Sequence, residues 1–383
     1  MKIEQIKWDG LSGWTLLKEQ KTEFKADLVL AFGNRFTIED HSRFDEIKAK
    51  YPKANILICS TAGEICGSEV FDDSIIVTAI SFERTKLKMF SADITSVNMS
   101  YETGKSIAGR FPTKSLSHVF VISDGQIVNG SELVRGMNET LPDNVSLTGG
   151  LAGDGARFQQ TLVGLNEYPA KGKIAAIGFY GKDITIGYGS IGGWDSFGPE
   201  RLITKSENNI LFELDGQSAL SLYKNYLGEL ASGLPGNALL FPLSIKIQED
   251  DEPVVRTILS IDEENQSMTF AGDIPKGAYA RLMKANFDRL IDGASQAAQR
   301  SAQVSGNSSP DFAILISCIG RKLVLGQRVE EEVESVCEIL GKDTVYSGFY
   351  SYGEISPFSE PGKCVLHNQT MTITTFSERT LSE

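Results

Sequence analysis

The chain reads as an α/β protein: mixed sheets flanked by helices, built from repeated strand–helix–strand–strand units in two domains. Two observations predict it. Unbroken apolar runs, typical of strands buried on both faces, alternate with stretches of helical period. The same order of elements also occurs three times. Length agrees, since 383 residues suit two domains better than one.

The first copy opens with ADLVLAFGN, a buried strand. A helix follows with Phe44, Ile47 and Tyr51 on one face. PKANILICSTAGEI supplies a second strand and a Gly-Glu corner, and DDSIIVTAISFERT a third strand. The second copy runs SHVFVISDG, a helix carrying Leu133, Val134, Met137 and Leu141, then NVSLTGGLAGDG and GKIAAIGFYG. The third runs FAILISCIGRK, a helix carrying Val329, Val333, Val336 and Leu340, then DTVYSGFYSYGEI and NQTMTITTFSERT. From Gly33 to Gly63, Gly125 to Gly153 and Gly320 to Gly353 the spacings are 30, 28 and 33 residues. Each unit implies a right-handed crossover with its helix laid on a sheet.

Between Gly187 and Gly216 the pattern breaks into Gly and polar residues, which places the boundary between domains 1–196 and 197–383. Beyond it the sequence predicts a helix over 219–227 and a hairpin meander over 238–273. A long helix over 279–304 and an SGNSSP linker then lead to the third copy.

Composition narrows the function. The net charge of −13 argues against a general nucleic-acid binder and against an anionic membrane surface. The opening residues hold no signal-peptide core, and no run of about 18 apolar residues could span a bilayer. Five cysteines, Cys59, Cys66, Cys318, Cys337 and Cys364, form no CxxC and no disulfide framework. A cytoplasmic location follows as the expectation. TGKS at 103–106 lacks the glycine a phosphate loop needs five residues before Gly104. GYGSIG at 187–192 is not followed by a helix, so it is no dinucleotide fingerprint.

The corners are the candidate site. Gly63, Gly153 and Gly353 provide positive φ or close backbone approach. Glu64, Asp154 and Glu354 then stand at the C-terminal ends of buried strands, where ligands of α/β sheets gather. The alternative is structural: the carboxylates cap turns or pair with arginines. Cys318 and Arg321 form a second candidate pair, since an adjacent guanidinium lowers a thiol pKa and can hold a ligand carboxylate. The alternative there is a small buried cysteine.

ILICSTAGEICGSEVFDDSIIVTAISF resembles the N-terminal module of FIST proteins. LISCIGRKLVLGQRVEEEVE, GFYSYGEISPF, LHNQTMTITTF and FAGDIPKGAYARL resemble the C-terminal module, so the similarity spans roughly residues 25–378. The resemblance implies a sensory module of bacterial signal transduction rather than an enzyme, with a small ligand such as an amino acid. It also implies a separate partner, a histidine kinase or a diguanylate cyclase or phosphodiesterase. For an amino acid, Glu64 or Glu354 would meet the ammonium and Arg321 the carboxylate. Ser60, Thr61 and Tyr352 would add neutral contacts, beside Gly63, Asp154, Gly353 and Cys318. Some stand-alone members bind haem to sense nitric oxide, and His367 is then the candidate axial ligand. The competing readings are an enzyme with Cys318 as nucleophile and a ligand-independent interaction scaffold.

Overall fold

The computed structural model describes residues 1–20, 24–247, 253–358 and 363–379. Among them the strands form three six-stranded sheets and one of eight strands. Each six-stranded sheet is founded on one sequence repeat. In unit 1 the first strand (Leu28–Asn34) pairs in parallel with the second (Asn55–Thr61) and antiparallel with the third (Ser74–Ser81). Unit 2 repeats this with Leu116–Ser123, Ser146–Leu151 and Lys173–Tyr180. Unit 3 does so with Phe312–Cys318, Val345–Ser351 and Met371–Glu378.

The segment after each second strand leaves its own sheet. Glu64–Cys66 of unit 1 pairs with the second strand of unit 3. Gly353–Pro357 of unit 3 pairs with that of unit 2. Val163–Leu165 of unit 2 pairs with that of unit 1. This cyclic exchange ties the three units together.

Alternation along the first strands explains the layering. Leu28, Leu30, Phe120, Ile122, Phe312 and Ile314 share one apolar core with Phe349 and Phe376. Their neighbours turn the other way: Val29 and Ala31 pack with Phe44 and Ile47 of the helix His41–Lys50. Val119 and Val121 likewise pack with Leu133 and Met137 of the helix Gly130–Asn138. Two-sided burial is why these strands are apolar throughout, each fully buried side chain contributing about 1.5–3 kcal/mol. Asp40 and Asn129 cap the first two helices through their side chains. Val333, Val336 and Leu340 bury the face of the third, Val329–Leu340.

The similar strand endings meet in space. The Glu378 carboxylate accepts backbone N–H bonds from Glu83, Arg84 and Thr85 at 2.8–2.9 Å. Thr380 of the second ending lies outside the described residues.

Two expectations are corrected. The helix foreseen over 279–304 is a strand, Tyr279–Lys284, followed by a helix, Phe287–Ser305. The strand alternates in burial and pairs with Asp195–Glu207, and Asn286 caps the helix by accepting from Arg289 N. All of the glycine-rich GYGSIG but Gly192 belongs to a strand, Ile184–Ile191, on the third strand of unit 3. Its glycines let that helix lie close: a Cβ on Gly189 would fall 2.2 Å from the Ala297 carbonyl. The meander supplies four strands of the eight-stranded fourth sheet, Leu243–Lys246, Val254–Arg256, Ile258–Asp262 and Ser267–Phe270. Its residues 248–252 lie outside the described ones.

Candidate functional site

The three corners meet through backbone. Ala62 N donates to Tyr350 O, Gly153 N to Ser60 O and Tyr352 N to Leu151 O, all within 3.2 Å. Gly63 adopts φ +135°, and a Cβ on Gly153 would fall 2.8 Å from Ala62 N. The corners come together, but what lies at their centre is packed main chain rather than a pocket.

Two of the corner carboxylates close their own units. Glu64 accepts from Thr61 Oγ1 at 2.5 Å and Ser74 Oγ at 2.7 Å. Glu354 accepts from Ser351 Oγ at 2.7 Å and Thr370 Oγ1 at 3.0 Å. These are equivalent hydroxyls, one ending the second strand and one at the start of the third. Burial is the main influence on both acids and raises each to about 8, against the opposing hydroxyl bonds. Ser60 is also engaged, its Oγ accepting from Leu162 N at 2.8 Å.

Unit 2 lacks this closure. Strand register places Leu151 and Ile174 where the hydroxyls stand in the other units. Asp154 pairs instead with the guanidinium groups of Arg35 and Arg157, each at 2.9 Å. Leu151 thereby becomes free to line a cleft of about 600 Å³. The cleft lies between unit 2 and the fourth sheet. Gly125, Asn129, Leu151 and Tyr352 wall one side, and Ile258, Phe270 and Gly272 the other. Phe158 stacks on Tyr352 with ring centroids 4.5 Å apart, and its N–H donates to the Tyr352 hydroxyl at 3.1 Å. Val97, Leu259 and Leu323 add exposed apolar surface, and the wall carries no charged side chain. Of the candidate residues named from sequence, Tyr352 is the one on this wall; the other corner residues, Cys318 and Arg321 are not.

The proposed Cys318–Arg321 partnership needs correction. Arg321 is fully buried and donates to Glu332 at 2.8 and 2.9 Å, to Leu290 O at 2.7 Å and to Gly192 O at 2.5 Å. Four of its five N–H donors are committed to the fold, and its charge is met by Glu332 rather than by a ligand carboxylate. The Cys318 thiol is buried, and burial together with nearby Glu354 pushes its pKa up, outweighing any help from Arg321. Iodoacetamide at neutral pH is expected to leave Cys318 unmodified in the folded protein and to alkylate it in urea. Rapid native labelling, read by mass spectrometry, would restore the nucleophile reading.

The histidines do not fit a haem. His367 Nε2 is 3.0 Å from the Ser356 carbonyl, the ring meets Phe358 edge-on, and burial lowers its pKa to about 4. His118 lies between Ser146 and Thr148 hydroxyls, with burial lowering it to about 3. His41 stacks on Tyr168 at 3.9 Å. None of the three lines the cleft. The described residues hold no cluster of three or more His, Cys, Asp or Glu able to bind a metal ion. No helix among them is long and apolar enough to cross a membrane.

Sequence reading missed Phe158, Asn129, Asp273, Arg256 and Asn368. Asn129 joins the two sides, donating from Nδ2 to Asp273 Oδ1 at 2.9 Å. The signals were faint: an arginine inside the apolar run PVVRTIL, and two adjacent amides in LHNQT.

A repeated α/β core thus closes against a fourth sheet over an uncharged cleft. The FIST N domain family matches residues 27–217 and the FIST C domain family residues 219–357. The chain belongs to the FIST family, whose domains are sensory modules of signal transduction. It is 22% identical over 351 residues to the uncharacterized protein MJ1623 of Methanocaldococcus jannaschii. That match covers 81% of this chain, which spans 62% of the relative's length. A cyanuric acid hydrolase from A. caulinodans aligns with 77% of this chain and all of its own, at 10% identity. Its TM-score of 0.19 carries no weight for fold or chemistry.

Proposed function

We propose that the chain is a ligand-binding sensor whose ligand occupies the cleft between unit 2 and the fourth sheet. It then regulates a separate signalling enzyme, a histidine kinase or a cyclic-di-nucleotide enzyme. The observation carrying this reading is that the cleft takes its walls from both bodies. A ligand touching both favours one arrangement of them over others, which is the requirement for a population shift. The stacked Phe158 and Tyr352 rings favour a planar apolar body. Neutral polar groups on Asn129 and Asn209 leave room for a few directed hydrogen bonds. An amino acid remains a candidate ligand through this cleft rather than through Glu64, Glu354 and Arg321.

The probe N-phenyl-1-naphthylamine tests the reading. It is expected to bind with a rise in fluorescence, and Ala156→Trp, which puts an indole on the cleft wall, is expected to weaken binding about tenfold or more. Hydrogen exchange should slow on both sides, in residues 125–129 and in 258–270. Protection confined to one side, or binding untouched by Ala156→Trp, would sink the proposal.

A further inference from the structure

Arg256 ends the strand Val254–Arg256 and is 6% exposed. Its guanidinium reaches three backbone carbonyls, those of Asp273, Val255 and Leu366 at 3.4, 3.3 and 3.0 Å. Among the described residues it forms no ion pair, and Nη2 donates to nothing. The other buried arginines each hold a carboxylate: Arg321 has Glu332 on two of its nitrogens, and Arg35 pairs with Asp154. Asp273 lies near enough to attract the guanidinium without forming an ion pair, and a buried cation compensated only in part favours an anion beside it.

Arg256 lies directly behind the cleft. Gly272 is on the wall, and a Cβ there would come within 2.8 Å of Arg256 Nε. A second unmet group lies behind the same wall. Asn368 is fully buried, and neither Nδ2 nor Oδ1 has a hydrogen-bond partner among the described residues. Its Nδ2 is 3.6 Å from the position a Cβ on Gly353 would take, and Leu151 Cδ1, on the wall, is 3.5 Å from that point. The two groups are linked through one segment: Arg256 Nη1 holds Leu366 O, two residues before Asn368. A buried donor left unpaired costs more than most hydrogen bonds contribute, so the Asn368 amide favours an incoming acceptor, and Arg256 keeps its Nη2 donors for the same one.

We propose that the cleft takes ligands with an acidic head and a planar apolar body, the head seated at the Gly272 end. There Arg256 supplies the charge and Asn368 an amide N–H. The inference rests on the cleft being the ligand site and adds the chemical class of the ligand. A charge-assisted contact of this kind joins two donors to one acid group, which neutral isosteres cannot match.

The test pairs two probes with the same aromatic body. 1-Anilinonaphthalene-8-sulfonate carries an acidic group, and N-phenyl-1-naphthylamine does not. In the wild type the sulfonate is expected to bind more tightly. Arg256→Gln should weaken the sulfonate about tenfold and leave the amine unchanged. Asn368→Leu should weaken the sulfonate several-fold, again with the amine unchanged, and serves if Arg256→Gln does not fold. Equal losses for both probes, or none for the sulfonate in a folded variant, would overturn the anion subsite while the cleft stands. Failure of both probes in the wild type would remove the cleft reading itself, and this inference with it.

Discussion

Arg321→Met is expected to lower the free energy of unfolding by about 3–5 kcal/mol, measured by urea denaturation. Arg321 and Glu332 are both fully buried, and the guanidinium ties the helix Ile319–Leu325 to the helix Val329–Leu340. It also takes up the Gly192 and Leu290 carbonyls. Removing it leaves the Glu332 carboxylate without a counter-charge, held by the Ser317 and Tyr350 hydroxyls alone. A charge stranded in the interior costs more than the pair contributed, so the single variant should be worse than Arg321→Met with Glu332→Leu. The double variant recovers only in part, since both hydroxyls then lose their acceptor. A loss under about 1 kcal/mol would mean that the pair is solvated.

Arg321 marks where sequence reading stops. Its position after a strand end was legible, and so was its closeness to Cys318. What it faces was not, because its partners come from residues 192, 290 and 332, and only the closed fold brings them together. The three units were legible for the opposite reason. Strand periodicity and helix faces such as Leu133 with Met137 are local properties of sequence. The swap of the corner strands left no local trace, since Glu64–Cys66 reads the same whichever sheet it joins.

The candidate site followed the same rule. Repetition of the Gly-Glu corner drew attention to the residues that closure of a repeated fold requires. The departure from the repeat proved more informative. Unit 2 replaces both closing hydroxyls with Leu151 and Ile174 and shortens the acid to Asp154. That is the unit whose loop and second-strand end face the cleft. The substitution was visible in the sequence, but its meaning required the register that aligns Leu151 with Thr61 and Ser351.

The closing carboxylates predict a pH dependence of stability. Glu64 and Glu354 have folded values near 8 against an ordinary 4.5, with burial as the largest cause. Between those limits the folded state binds more protons than the unfolded chain, so their contribution is full below about pH 4.5. It is lost as pH rises toward 8. Each tenfold difference in proton affinity between the folded and unfolded states corresponds to about 1.4 kcal/mol, so the two sites together should cost on the order of several kcal/mol across the window. Gln at both positions cannot ionise, and its one carbonyl acceptor and one amide donor stand in for the carbonyl and hydroxyl of the protonated acid, the facing hydroxyls turning to suit. Glu64→Gln with Glu354→Gln is therefore expected to flatten the fall in stability from pH 4.5 to 8 and to exceed wild type most at the alkaline end. Urea midpoints across that range measure it. A double variant with the wild-type slope would show that these acids are ionised in the fold, held by their hydroxyls as carboxylates. The same variant should bind N-phenyl-1-naphthylamine as wild type does, because neither acid lines the cleft.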